Sequence, residues 1–254
     1  MIYKVFLAPT KNIHPSPFRN ETVSFPEFIT EAEGIVETLR KKKLEELVEI
    51  MGISTEIATI NHDRFIKWKK SKGEKEAYHA ISMYAGEAFK AFDFKSLPLS
   101  AHQKLQNNLF ILSGLYGILK PFDLVYPYRL EIGLGISSSN EYHNLYAYWK
   151  TKVFQYLDAN LSEKDVLVNL SSQEYSKVIN FNDLRRRVIV PSFMEIKKGK
   201  PQVVSFFSKN ARGKMARFII DNAIQNDNDL KSFSDGGYSY NPNMSTASDW
   251  VFIR

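Results

Sequence analysis

The stretch Leu109-Phe110-Ile111-Leu112-Ser113-Gly114-Leu115-Tyr116-Gly117 decides how the chain is read. Four large apolar residues precede a hydroxyl and then a glycine. A run this short, unbroken by polar positions and stopped by glycine, predicts a strand buried on both faces. Two similar runs lie far away in sequence, Ile2 to Ala8 ending at Pro9, and Val166 to Leu170. Between them the period changes. Leu44, Leu47, Val48 and Met51 share one helical stripe, and the segment from Asn144 to about Ala159 reads as helix. Arg187 to Ile196 and Gln202 to Phe207 flank Lys198-Gly199 and predict a β-hairpin. A helix from about Lys209 to Asn222 and a strand Trp250 to Ile253 follow. Ala80 to Tyr84 is expected as a strand, Val125 to Ile132 as extended chain, and the Lys/Glu-rich residues 69–76 as an exposed connection. Strands alternate with helices and no linker interrupts them. The expected class is therefore α/β, a single compact domain over residues 1–254. The hairpin makes its sheet mixed.

Composition narrows the function. The 254 residues are 44% hydrophobic, 24% charged and 13% aromatic, which excludes a chain that is mostly disordered. No apolar run approaches the roughly 18 residues of a membrane span. The N-terminal apolar run is too short for a signal peptide, so the expected compartment is the cytoplasm. Cysteine is absent, which removes disulfides, thiolate zinc sites, iron–sulfur clusters and cysteine nucleophiles together. Of five histidines, only His79 stands in a Glu-x-x-His spacing, with Glu76. A carboxylate-bridged iron site needs two such motifs, so no metal and no cofactor is expected.

In an open α/β sheet, ligands gather beyond the carboxyl ends of the strands. Those ends carry Lys11, then Ser113 and Tyr116, then Glu174 and Lys177. Arg129 and Glu131 in Tyr126-Pro127-Tyr128-Arg129-Leu130-Glu131 point to one face of an extended segment. They either line a polar cleft or pair with each other. Hydroxyls beside a lysine and a glycine turn suit a phosphate, although the same glycines also suit a plain tight turn. No Walker or dinucleotide fingerprint is present.

Two features suggest a polyanion. Residues 44–68 read as two short helices joined by Met51-Gly52-Ile53-Ser54, a helix-hairpin-helix element. There Gly52 lets the backbone approach a phosphate, and amides at Ile53, Ser54 and the second helix donate to it. An ordinary helical hairpin with a glycine stop has the same pattern. Lys41, Lys42, Lys43, Arg64, Lys67, Lys69 and Lys70 surround it. Residues 185–217 hold ten basic residues against one acidic, a net +9, whereas the other 24 basic and 27 acidic residues give −3. Within that block Lys209, Arg212 and Arg217 lie on one broad helical face. A face of that breadth suits phosphate contact better than base reading.

The central motif Leu112-Ser113-Gly114-Leu115-Tyr116-Gly117-Ile118-Leu119-Lys120-Pro121, with Asp123 and Pro127-Tyr128-Arg129-Leu130-Glu131-Ile132-Gly133, resembles the signature of the YaaA family of peroxide stress proteins. Further matches follow in order: Asn169-Leu170-Ser171-Ser172 with Glu174-Tyr175 and Lys177, Ser205-Phe206-Phe207 with Lys209, and Ala211-Arg212-Gly213. The resemblance covers nearly the whole chain. It implies a bacterial cytoplasmic protein that limits iron-dependent damage during peroxide stress. It also implies binding to double-stranded or structured DNA without strong sequence preference, and no established enzymatic reaction. A monomer is assumed. The alternative is an enzyme acting on a nucleotide or nucleic acid in the strand-end cleft. One departure from the pattern is Ala8-Pro9-Thr10-Lys11, where the family usually has Ser-Pro-Ala-Lys.

Overall fold

In the computed structural model, which describes residues 2–18, 23–69, 77–136, 144–181 and 183–254, the chain forms ten strands and ten α-helices among those residues. In order they are β1 (Ile2–Leu7), α1 (Ile29–Arg40), α2 (Leu44–Met51), α3 (Thr55–Lys67), β2 (Tyr78–His79), α4 (Ala80–Met83) and α5 (Glu87–Phe92). Then come α6 (His102–Asn108), β3 (Leu109–Ser113), β4 (Gly117–Leu119), β5 (Leu124–Val125), α7 (Leu145–Asn160), β6 (Asp165–Asn169) and α8 (Gln173–Ser176). The last are β7 (Arg187–Lys197), β8 (Lys200–Gln202), α9 (Ser205–Asp221), α10 (Asp227–Lys231), β9 (Ser239–Tyr240) and β10 (Asp249–Ile253).

The strands build one mixed sheet in the order β4-β3-β1-β6-β7-β10-β9, with β8 hairpinned onto β7. From β3 to β10 the neighbours are parallel, so β1, β3 and β6 end at the same edge of the sheet. β4, β8 and β9 run antiparallel to their partners. Val5 faces Leu109 on one side and Val168 on the other, and all three are buried. This explains the unbroken apolar runs, because every position of β3 and β6 is covered by other parts of the chain. The chain passes from β1 to β3 on one side, then back across to β6. The order therefore reverses at β1, and a crevice opens at the strand ends there. A separate two-stranded pair joins β2 to β5.

Two helices carry the hairpin region. Gly52 sits in the left-handed conformation at φ 58°, ψ 44°. Its N–H donates to the Glu49 carbonyl, and the Ile53 N–H reaches back to Val48, a Schellman stop. Ser54 caps α3 by accepting from the Ile57 amide. The unit is tied to the body by Trp68, whose Nε1 donates to the Tyr116 hydroxyl at 2.8 Å.

Three expectations change. Ala80–Met83 is a helical turn, not a strand. All four residues are buried, so no period distinguishes the two forms. The second hairpin strand stops at Gln202, and Ser205–Phe207 already belong to α9. Phe206 and Phe207 point a strand reading the wrong way because they are among the exposed aromatics. Between Tyr126 and Ile132 the chain is irregular after the short β5. Residues 70–76, including Lys70 and Glu76, lie outside the described residues. No helix among the described residues is long and apolar enough to cross a membrane.

Candidate functional site

The ends of β1 and β6 open into a cleft of about 520 Å³. Four other segments complete it: the turn at Gly86, the start of α5, the chain at 128–131, and α9 with Lys209 and Arg212. Close backbone contacts fix these walls. A Cβ on Gly114 would lie 2.2 Å from the Leu130 carbonyl oxygen, so glycine at the end of β3 lets the 130–131 backbone pass. A Cβ on Gly213 would lie 1.9 Å from the Ala88 carbonyl oxygen, so α9 rests directly on α5. Gly86 abuts the Thr10 side chain in the same manner.

Glu131 stands at the centre of the charged wall. It is 8% exposed. Its Oε1 accepts from Arg129 Nε at 3.1 Å and Nη2 at 3.0 Å, and Lys11 Nζ lies 3.1 Å away. Its Oε2 is buried without a hydrogen-bond partner. Arg212 Nε is likewise buried and unpartnered. Burial pulls the Arg212 guanidinium below its usual range, though an arginine keeps its charge throughout the physiological range. Among the described residues, no carboxylate pairs with Lys209 or Arg212.

The floor is aromatic. The Tyr84 and Tyr128 hydroxyls are 2.7 Å apart, and Tyr128 also meets Ser113 Oγ at 2.5 Å. Burial pushes the Tyr128 phenol up to about 12 and raises those of Tyr84 and Tyr175, so all three stay neutral. Phe89 packs on Tyr84 with ring centroids 5.0 Å apart. Tyr84, Phe89, Tyr128 and Tyr175 line the cleft with no motif of their own that marks them in the sequence. Their adjacency to charged positions at the strand ends was the available signal.

The structure brings Lys11, Arg129, Glu131, Glu174, Lys209 and Arg212 together around this cleft. It does not bring Ser113, Tyr116 or Lys177 to its lining. Ser113 Oγ is buried and accepts the Leu115 and Tyr116 amides, which shapes the turn. The Tyr116 hydroxyl accepts from Trp68 and from the Tyr126 amide. Lys177 is exposed at the end of α8. Arg217 is committed elsewhere, to Asp221 and to the Phe92 and Asp93 carbonyls that end α5. Gly52, Ile53 and Ser54 form the turn of the α2–α3 hairpin, and nothing lies within 4 Å of a Cβ built at Gly52.

The +9 block is dispersed by folding. Arg186 pairs with Asp158, and Arg187 with Asp227 through two hydrogen bonds. Lys197, Lys198 and Lys200 are exposed at the β7–β8 turn. The hairpin at 41–68 carries five basic and five acidic residues and is neutral. Burial, with the Arg129 charge adding to it, lowers the pKa of Arg64 on α3. No group of three or more metal-ligating side chains occurs among the described residues.

Fold and site define an α/β protein with an aromatic-floored cleft of mixed charge, lined by Lys11, Arg129, Lys209 and Arg212 with Glu87, Glu131 and Glu174, at the point where strand order reverses. The family described as peroxide stress protein YaaA matches residues 3–244. Relatives include a UPF0246 protein of Hahella chejuensis, 38% identical over 98% of each chain. Another, from Neisseria meningitidis serogroup B, is 36% identical over 98% of this chain and 96% of its own. A third, from Flavobacterium johnsoniae, is 36% identical over 99% and 100%. The chain belongs to the YaaA family of peroxide stress proteins.

Proposed function

We propose that this cytoplasmic protein binds double-stranded or structured DNA without strong sequence preference, and so helps limit iron-dependent oxidative damage under peroxide stress. The observation that carries this reading is the pair Lys209 and Arg212, set on one cleft wall without a carboxylate partner among the described residues. Cations left open in this way serve phosphate oxygens, which position a duplex without reading its sequence. The neutral hairpin contributes backbone rather than charge. Gly52 leaves its turn open, and the first-turn amides of α3 other than the one that Ser54 occupies are those a helix start leaves without intrahelical partners. Arg217, held by Asp221, acts through the placement of α9.

Anisotropy titrations with unrelated duplexes should give equal affinities that fall steeply with salt. No binding at low salt would remove this reading. The second reading is an enzyme acting on a nucleotide or nucleic acid. It is favoured by the buried carboxylate of Glu131 among cations, and turnover of such a substrate by the purified chain would establish it.

A further inference from the structure

We propose that Phe206 stacks on an unpaired base of a nucleic acid whose adjoining phosphate meets Lys209. The preferred partner is then a duplex with an unpaired end rather than one paired throughout. This rests on the DNA reading and narrows it to one feature of the nucleic acid.

Two neighbouring rings open α9. Phe206 is 56% exposed and Phe207 is 37% exposed. Phe207 is covered by the Arg254 guanidinium, 4.6 Å from its ring centroid, and Glu195 holds that guanidinium at 2.8 Å. Phe206 meets Phe207 edge-on at 5.5 Å, and among the described residues no other ring packs on it. Helix residues advance by about 100°, so Phe206 lies about 60° from Lys209 and about 20° from Gly213. Gly213 rests on Ala88, and both Ala88 and Lys209 line the cleft. Phe206 therefore stands on the cleft side of α9, one turn before Lys209. Helix side chains lean toward the N-terminus, which carries the Lys209 stem toward that ring. A flat apolar ring and a cation one turn apart are the two parts of a single-strand platform. The ring takes the face of a base and the ammonium takes the phosphate. A base inside a duplex is stacked on both faces, so only an unpaired one offers a face to Phe206. Glu87 on the same cleft is engaged by Lys90 at 3.3 Å.

A lipid surface fits less well, because it needs the exposed apolar residues on one plane. Ile196 is also exposed. Yet Glu195 and Ile196 are successive on β7 and point to opposite faces. Glu195 reaches the Arg254 that covers Phe207, so Ile196 points away from the phenylalanine side.

The test is anisotropy titration of the full chain with two labelled duplexes of equal paired length, one blunt and one ending in a short unpaired overhang. The overhang should raise the affinity of the parent about tenfold, and Phe206→Ala should erase that gain while changing blunt-duplex affinity less than about twofold. Phe206→Tyr keeps a flat ring and should keep the gain. Phe206→Leu keeps apolar bulk without a ring and should lose it. Should Phe206→Ala melt lower than the parent, the contrast between Tyr and Leu decides. Equal affinity of the parent for the two duplexes overturns the inference, and so does a gain that survives Phe206→Leu. In either case salt-sensitive binding of the blunt duplex leaves the DNA reading standing. The parent is also titrated with phosphatidylglycerol vesicles. Vesicle binding that Phe206→Ala abolishes, with the overhang gain intact, overturns the inference in favour of a lipid surface. No binding of either duplex at low salt removes the inference together with the DNA reading.

Discussion

Asp123 shows how one residue in the signature motif serves stability. Its carboxylate is 3% exposed and accepts the Ser24 hydroxyl at 2.6 Å and the Lys120 amide at 2.7 Å. Burial nonetheless wins and pushes its pKa up from 3.8 to about 6. A carboxyl group raised by folding favours the folded state while it is protonated. Its contribution is complete below the unfolded value and is lost as pH rises through about 6. Asn can keep both contacts, accepting from Lys120 and donating to Ser24. Denaturant unfolding of the parent relative to Asp123→Asn should therefore lose about 2.5 kcal/mol between pH 4 and pH 7.5. Parallel curves for the two proteins would show that Asp123 does not titrate in that window. The same scale separates the tyrosines of the motif. Tyr116 holds Trp68 and the 126 amide, so Tyr116→Phe should loosen the helical hairpin without removing any cation from the cleft.

At the scale of elements, two glycines make opposite demands. Gly213 is needed for closeness, since any side chain there meets the Ala88 backbone. Gly213→Ala should overpack the α5–α9 crossing, cost about 1–3 kcal/mol in chemical unfolding, and move Lys209 and Arg212 away from the cleft. Gly52 is needed for its dihedral, since its Cβ would meet open space. Gly52→Ala should cost about 1 kcal/mol through the left-handed conformation alone. Gly52→Leu adds bulk over the open turn and should also weaken DNA binding at an unchanged melt relative to Ala. Equal affinity in both variants would reduce Gly52 to a helix stop. These elements were unequally legible from residues. β3 and β6 announce themselves because both faces are buried and the positions between their polar ends are apolar, and β1 because its run is interrupted by Lys4 alone. Asn144 and Ser54 mark helix starts because their side chains do accept the amides of Ala147 and Ile57. β4 and α4 do not announce themselves, since short segments buried on all sides carry no period. In the cleft, charged residues after strand ends were visible. The approach of Leu130 to Gly114, and of Ala88 to Gly213, was not, because both join parts of the chain far apart in sequence.

For the whole molecule, the question is which charges a polyanion meets. A count along the sequence places nine net positive charges between 185 and 217, but folding spends several of them internally. The Arg186 Nη groups bond Asp158 and the Leu184 and Leu161 carbonyls. Arg187 forks onto Asp227, and Arg217 onto Asp221 and the end of α5. A paired arginine releases few counterions from DNA, whereas an open one releases about 0.9 per phosphate contact. Lys209→Gln with Arg212→Gln should therefore flatten the slope of log affinity against log salt by about two, equally for unrelated sequences. Arg187→Gln removes one formal charge from the same block and should leave that slope unchanged. Its effect should instead appear as a lower melt, because Asp227, which also accepts from the Tyr3 hydroxyl, loses its guanidinium partner. Should Arg187→Gln flatten the slope as much per charge as the cleft pair does, the DNA would be reading net charge rather than the cleft. The placement of Lys209 and Arg212 by α9 would then have no bearing on binding.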